Sequence, residues 1–510
     1  MSVLKAATSI VALTLLGRLL GFIRTMYVSD LYGTGAAADA YFTALTIPMT
    51  LFMVIPGAIN AVLIPTMRGL IERKAEGERE ALYGKMLAMV TLFFLVLCAA
   101  GTALSPQIAG WIGMTGQRAA LTAELLAWMW PSVFFIGVAG LWASVINAHQ
   151  HFFTPALGTV TNGAVVIVAM YALVPAYGPV GLAIATTLGY IAAAVPMLPT
   201  LKRFGYATRF SFQWKEDESL KGMGERVIPI MIGSCISQAT TFLERGLTAG
   251  LGEGKIAALS YANQIFQLPL GIFVGAFTLP LFPLLASYVK RGEMNLMKDT
   301  LQKGLAYLWM LMLPVTIGMI LFGEPVIRLF FVRQGGKFDE TGVAWTVLGL
   351  AFYSLGLFGL AARDLLTRAF YALDNTRTPV TIGACGILVY IASAYAGIPS
   401  LGHGGIALAA SISAWFQAVL LFILLAKRIG TPVRRSFLLT CGKVTVAGIV
   451  MGAALWAVKP FLSHFHVLVQ TVVGIGGAAI VYAVVLILLR ESMIFDVASK
   501  FLKRASRPSK

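Results

Sequence analysis

Four arginines, Arg18, Arg24, Arg245 and Arg363, and three carboxylates, Asp39, Glu244 and Asp364, lie within or at the start of long apolar runs. Charge in hydrocarbon is costly, so such groups face a cavity, pair with one another or bind something. A planar guanidinium meets phosphate oxygens two at a time. Arg24 and Arg245, facing a poorly hydrated cleft, would therefore suit a phosphate or pyrophosphate. Asp39 and Glu244 would neutralise that cluster when substrate is absent. The competing reading is structural: ion pairs that hold helices together, with Arg18 or Arg24 snorkelling to an interface. Arg363 and Asp364 form a secondary candidate, because neighbours on a helix do not face each other. Four arginines against three carboxylates favours an anionic substrate over a cationic one.

Other chemistries are excluded by spacing. Gly250-Leu251-Gly252-Glu253-Gly254-Lys255-Ile256 glances at a phosphate-binding loop but lacks the first glycine and the hydroxyl after the lysine, so ATP hydrolysis is not expected. The five histidines, His149, His151, His403, His464 and His466, sit at predicted turns without acidic or thiol companions, and no metal site is expected. Cys98, Cys235, Cys385 and Cys441 lie in apolar runs and read as small buried hydrophobes. No Ser-His-Asp, Cys-His or paired-carboxylate arrangement emerges.

The elements that must position the charged residues are membrane helices. Of 510 residues 58% are hydrophobic and 12% charged, about half the charge a soluble surface needs. Continuous apolar runs of spanning length exclude a barrel. They predict helices over 7–29, 38–67, 82–112, 121–146, 156–176 and 180–201. A second set follows over 226–250, 257–289, 300–332, 343–370, 378–398, 404–426, 437–458 and 467–489. With the N-terminus inside, cytoplasmic segments hold 29 Lys and Arg and outer loops six. That asymmetry supports cytoplasmic N- and C-termini and accounts for the +17 net charge without a nucleic-acid partner. Phe210, Phe212 and Trp214 among basic residues fit a segment lying on the cytoplasmic face.

The chain also repeats itself. Ala148, Thr154 and Pro155 recur as Ala372, Thr378 and Pro379, and Gly178, Gly181, Ala183 and Ala185 as Gly402, Gly405, Ala407 and Ala409, all at an offset of 224. An offset of 221 carries Arg24 onto Arg245, Gly33 onto Gly254, Ala36-Ala37 onto Ala257-Ala258 and Pro48 onto Pro269. The expected fold is an all-α polytopic membrane protein of about fourteen transmembrane helices. Two parallel six-helix repeats would surround a central cavity, with two further C-terminal helices. The domains follow as an N-lobe over 1–203, a cytoplasmic linker over 204–225, a C-lobe over 226–428, and helices 13–14 with a basic cytoplasmic tail over 429–510. Prolines at 48, 56 and 65, and at 269, 280 and 283, would break the helices lining the pathway.

Two segments resemble a known family over essentially the whole chain. They are Gly17-Arg18-Leu19-Leu20-Gly21-Phe22-Ile23-Arg24, with Gly33, Asp39-Ala40-Tyr41-Phe42 and Ile47-Pro48, and then Arg368 through Pro379. They look like the MurJ (MviN-type) lipid II flippases of the multidrug/oligosaccharidyl-lipid/polysaccharide exporter superfamily. The resemblance implies translocation of an undecaprenyl-pyrophosphate-linked peptidoglycan precursor across the bacterial inner membrane, with Arg18, Arg24 and Asp39 as cavity residues. It adds Asn263 and Gln264, at the place of the family's Tyr-Ala-Asp/Asn-Arg segment, and a lipid-tail groove at helices 13–14. Phe52, Pro56-Gly57 and Gln264 depart from the family pattern, which has arginine at the first and last and a Glu-Gly step between. A flippase for another polyprenyl-linked glycan, a drug or cation antiporter of the superfamily, and a scaffold for envelope assembly remain alternatives. The implied partners are the glycan lipid, membrane lipids and cell-wall synthesis proteins. No cofactor is implied beyond coupling to membrane potential or a monovalent cation.

Overall fold

The computed structural model describes residues 3–207, 209–212, 218–431 and 435–491. Trp214, the Cys235 side chain and the expected basic tail beyond residue 491 lie outside the described residues. Every regular element among the described residues is helical, and the chain divides into two compact units, Met1–Ala257 and Ala258–Lys510.

The first unit contains α1 (Val3–Tyr32), α2 (Ala36–Glu72), α3 (Glu76–Ala103), α4 (Ser105–Trp111), α5 (Gly116–Ala148), α6 (Phe153–Tyr177), α7 (Pro179–Ala194), α8 (Met197–Arg203) and α9 (Glu218–Ala249). One long helix was expected over 82–112, but Pro106 in the first turn of α4 removes an N–H and the helix stops at Leu104. Small residues let the helices close on one another. Gly101 of α3 receives the Trp130 ring of α5, and Gly137 of α5 receives the Phe94 ring of α3.

At the end of α5 the segment after α8 folds back. The His149 ring stacks on Phe204 with centroids 4.3 Å apart, and its Nε2 lies 2.9 Å from the Tyr206 hydroxyl. The Arg79 guanidinium lies over the Tyr206 ring at 4.9 Å. Burial, and secondarily the Arg79 charge, lowers the His149 pKa, while burial pushes the Tyr206 hydroxyl up to about 12. Phe210 and Phe212 are exposed and stacked on each other.

α10 (Lys255–Pro269) begins at the end of the first unit and runs into the second. A π turn (Leu270–Val274) and α11 (Gly275–Lys290) follow, so the helix expected over 257–289 is interrupted just after Pro269. The remaining helices are α12 (Met294–Phe331), α13 (Glu340–Ser354), α14 (Leu357–Ala372), α15 (Arg377–Leu401), α16 (His403–Ile429), α17 (Arg435–Leu462) and α18 (Val467–Leu488). The expected helix over 343–370 is the pair α13 and α14, bent by 42°. Side chains of α16 satisfy the carbonyls freed at that bend. Ser411 Oγ donates to Phe352 O at 2.6 Å, and Trp415 Nε1 to Leu355 O at 2.8 Å. α17 and α18 pack on α12, where Tyr482 donates its hydroxyl to Met310 O at 2.8 Å inside an apolar cluster.

Among the described residues, 11 helices are long and apolar enough to cross a membrane, and 12 if the bent pair is one span. α9 and the α10–α11 run stand at the other two expected positions. α9 carries Glu218, Lys221, Glu225, Arg226, Glu244 and Arg245, and the other is broken. The offset of 224 carries the ends of α6, Phe153 and Tyr177, onto those of α15, Arg377 and Leu401. It also carries the left-handed Gln150 (φ 59°) onto Asp374 (φ 55°) and Gly178 (φ 57°) onto Gly402 (φ 54°).

Candidate functional site

The charged cluster of the first unit is built where two helices begin. α2 starts after a turn in which Gly33 has φ 52°, and Asp39 falls in its first turn. The Asp39 side chain is 0% exposed and reaches the amides at the start of α10. Its Oδ2 accepts from Gly254 N and its Oδ1 from Ala257 N, both at 2.7 Å. A carboxylate buried this fully needs such donors, and a helix N-terminus supplies both N–H groups and a partial positive charge. The glycine-rich run makes the approach possible, with Gly252 at φ 99° and Gly254 at φ 84°. In return Glu253 Oε1 accepts from Ala36 N, the first residue of α2, at 2.7 Å. Ala36 and Ala257 are equivalent under the 221 offset, so the two caps are reciprocal.

Two arginines brace this turn. Arg118 Nη1 lies 3.7 Å from Asp39 Oδ2, an ion pair too long for a hydrogen bond, while its Nη2 donates to Ala249 O at 3.3 Å. Arg245 donates through Nε to Thr46 Oγ1 at 3.2 Å and through Nη1 to Ile256 O at 3.4 Å. It is also within electrostatic reach of Asp39.

Arg24 has different neighbours. It is half-buried on α1, and its Nε is buried with no hydrogen-bond partner among the described residues. Its charge acts on the hydroxyl of Tyr190 in α7, whose ring centroid is 5.7 Å from that of Phe52 in α2. Arg18 is exposed on the same helix. Six residues separate it from Arg24, so the two project about 120° apart around α1.

Glu244 is half-buried on α9, and its carbonyl accepts from Thr248 Oγ1 at 2.6 Å. Asn263 and Gln264 are half-buried on α10. Arg363 is half-buried on α14, whereas Asp364 Oδ2 accepts from Arg368 Nε and from Thr278 Oγ1 of α11, each at 3.1 Å. Asp364 thus pairs with the arginine one turn on, as helical spacing favours. Arg118, Glu253 and Thr46 were not anticipated as members of the cluster. Each is far in sequence from what it touches, and no local pattern marks it.

Known proteins resemble this chain over nearly its whole length. A probable lipid II flippase MurJ of Rhizobium tropici is 27% identical over 480 residues, covering 91% of this chain and 88% of its own. A solved structure of lipid II flippase MurJ in an inward closed conformation superposes with a TM-score of 0.78 at 22% identity, covering 94% of this chain and 99% of its own. An inward-facing multidrug resistance MATE transporter of the MOP superfamily shares the fold with a TM-score of 0.68 at 15% identity, covering 83% of this chain and 98% of its own. The family model for lipid II flippase MurJ matches residues 28–475, and the chain belongs to that family.

Proposed function

We propose that this protein carries lipid II, the polyprenyl-pyrophosphate-linked peptidoglycan precursor, from the inner to the outer leaflet of the bacterial cytoplasmic membrane by alternating access. The observation that carries the reading is Arg24, a half-buried guanidinium in an apolar span whose buried Nε has no protein partner among the described residues. A cation so placed is stabilised by an anion that arrives from outside the protein, and a pyrophosphate supplies one. Arg18, Glu244 and Arg245 of the first unit join Arg24 as substrate contacts in this reading; Asn263 and Gln264, with Arg363 and Asp364 as secondary members, are the contacts proposed for the second unit.

The transport cycle rests on fourteen spans, with two six-helix lobes and both termini cytoplasmic. The shared ends of α6 and α15 and the paired left-handed residues support the repeat, and the 29-to-six division of Lys and Arg supports the orientation. In that orientation the Asp39 cluster lies on the outer side. It acts as a latch, and its release lets the substrate leave outward. Membrane potential or a monovalent-cation gradient drives the cycle.

The test is rescue of a bacterium depleted of its own lipid II flippase by wild type, Arg24→Ala and Arg24→Lys at matched expression. Rescue by wild type, failure of Arg24→Ala and partial rescue by Arg24→Lys are expected. Full rescue by Arg24→Ala would remove the phosphate contact, and failure of well-expressed wild type would remove lipid II as the cargo.

A further inference from the structure

Position 52, where the family pattern has an arginine, carries an apolar ring here. The rings around it suggest what that ring does. Phe52 is 42% exposed, while its α2 neighbours Thr50, Val54 and Ile55 are buried. Its centroid lies 5.7 Å from that of Tyr190 with the planes 51° apart, and Tyr190 is 8% exposed. One ring is therefore fixed in the protein and supports a second that is partly open.

Two observations favour a polar-lined side for the open ring over lipid chains. Arg24 is within electrostatic reach of the Tyr190 hydroxyl, and a guanidinium within an apolar span does not face hydrocarbon alone. One residue along α2, Met53 Sδ receives a hydrogen bond from Gln238 Nε2 of α9 at 3.1 Å. An open aromatic face, backed by a ring whose hydroxyl feels the Arg24 charge and with an unused N–H on that guanidinium, fits a ligand in which an anionic group is joined directly to a ring with an apolar face. A pyranose on a pyrophosphate is such a ligand: its axial C–H groups lie on the aromatic ring while the phosphate oxygens take the guanidinium.

We propose that Phe52, backed by Tyr190, is a stacking platform for the sugar attached to the pyrophosphate, and so a specificity-determining residue that recognises the glycan separately from the phosphate. The proposal rests on the lipid II reading above and deepens it. Recognition in this chain would then divide between Arg24 for the charge and Phe52 for the sugar, in place of a second arginine on the phosphate.

The experiment measures retention of three lipids by the purified full-length protein, using native mass spectrometry. The lipids are lipid II, the same polyprenyl pyrophosphate without sugars, and phosphatidylglycerol. Wild type, Phe52→Leu and Phe52→Trp are compared. Phe52→Leu keeps an apolar side chain without a ring, and Phe52→Trp keeps the ring. Wild type should prefer lipid II over the sugarless pyrophosphate. Phe52→Leu should lose that preference by about 3- to 10-fold, the size of one ring contact, with unchanged retention of the sugarless lipid. Phe52→Trp should keep it. A wild-type preference that survives in Phe52→Leu overturns the platform alone and leaves Phe52 a lipid-facing ring. Equal retention of all three lipids by wild type overturns the platform together with the lipid II reading.

Discussion

Replacing Asp39 by Asn tests whether the buried carboxylate is what holds the turn at 254–257 to the start of α2. The change keeps size and shape but removes the charge and one acceptor. Two amides, from Gly254 and Ala257, now reach Asp39 at 2.7 Å each. With Asn, one oxygen still accepts, while the other N–H meets an NH2 group and is left buried and unpaired. Losing one charge-assisted bond costs about 1.5–3 kcal/mol, and weakening the other to a neutral bond about 1 kcal/mol more. Removing a negative charge from a helix N-terminus adds about 0.3–1 kcal/mol. A neutral amide costs less to bury than a carboxylate, which offsets part of these losses and leaves about 1.5–3 kcal/mol. That corresponds to at least about a 10-fold faster opening of the turn, since 1.4 kcal/mol is roughly tenfold. Amide hydrogen exchange of a peptide spanning 250–260, with the protein in lipid nanodiscs, reads it directly. Arg118→Gln serves as the graded companion. Its 3.7 Å approach is an ion pair without a hydrogen bond, and its loss should speed exchange by only about fivefold, near 1 kcal/mol. Exchange in Asp39→Asn within threefold of wild type, in a protein that still unfolds cooperatively, would refute the latch.

Two further outcomes follow from the first unit. Gly137→Ala places a methyl group against the Phe94 ring in the α3–α5 contact and should cost about 1–3 kcal/mol, read as a lower thermal midpoint in detergent, whereas Gly110→Ala, with nothing near it, should be neutral. The fold-back at α5 should loosen in acid. Because burial lowers the His149 pKa from 6.5, the unfolded chain binds more protons, so stability falls as pH drops through about 6.5 toward the folded value. Exchange at the Tyr206 amide, corrected for its intrinsic rate, should rise between pH 7.5 and 5.5 in wild type and stay level in His149→Gln.

How much of this was legible in the sequence depended on whether the cause was local. Apolar run length located α2, α5, α6, α12 and the last four helices, because hydrocarbon thickness sets a length that any span must meet. The repeat offset located the turn at Gly178 and its counterpart at Gly402, because a left-handed residue there favours glycine. The bend between α13 and α14 was not legible, since its freed carbonyls are satisfied by Ser411 and Trp415, about sixty positions away in the chain. The glycine-rich segment at 250–256 lacks the spacing of a phosphate-binding loop, yet it uses the same physics. Its backbone N–H groups bind an anion, which here is the protein's own Asp39. The Arg118–Asp39 pair was not legible, because nothing in local spacing joins positions 39 and 118. Phe52 read only as a departure from a pattern, until the Tyr190 ring stood beside it.

The burial of Asp39 also bears on how the protein meets its surroundings. An exposed pair such as Arg68 and Glu72, 51% and 69% exposed, weakens as salt rises, because mobile ions crowd both partners. No ion can enter between Asp39 and the amides it touches, and its side chain offers solvent no surface. The fastening strength is therefore nearly independent of salinity. In the proposed orientation it faces the compartment whose salt content follows the medium in which the cell grows. If the Asp39 cluster is the proposed latch, its hold would be the same in fresh and in brackish media.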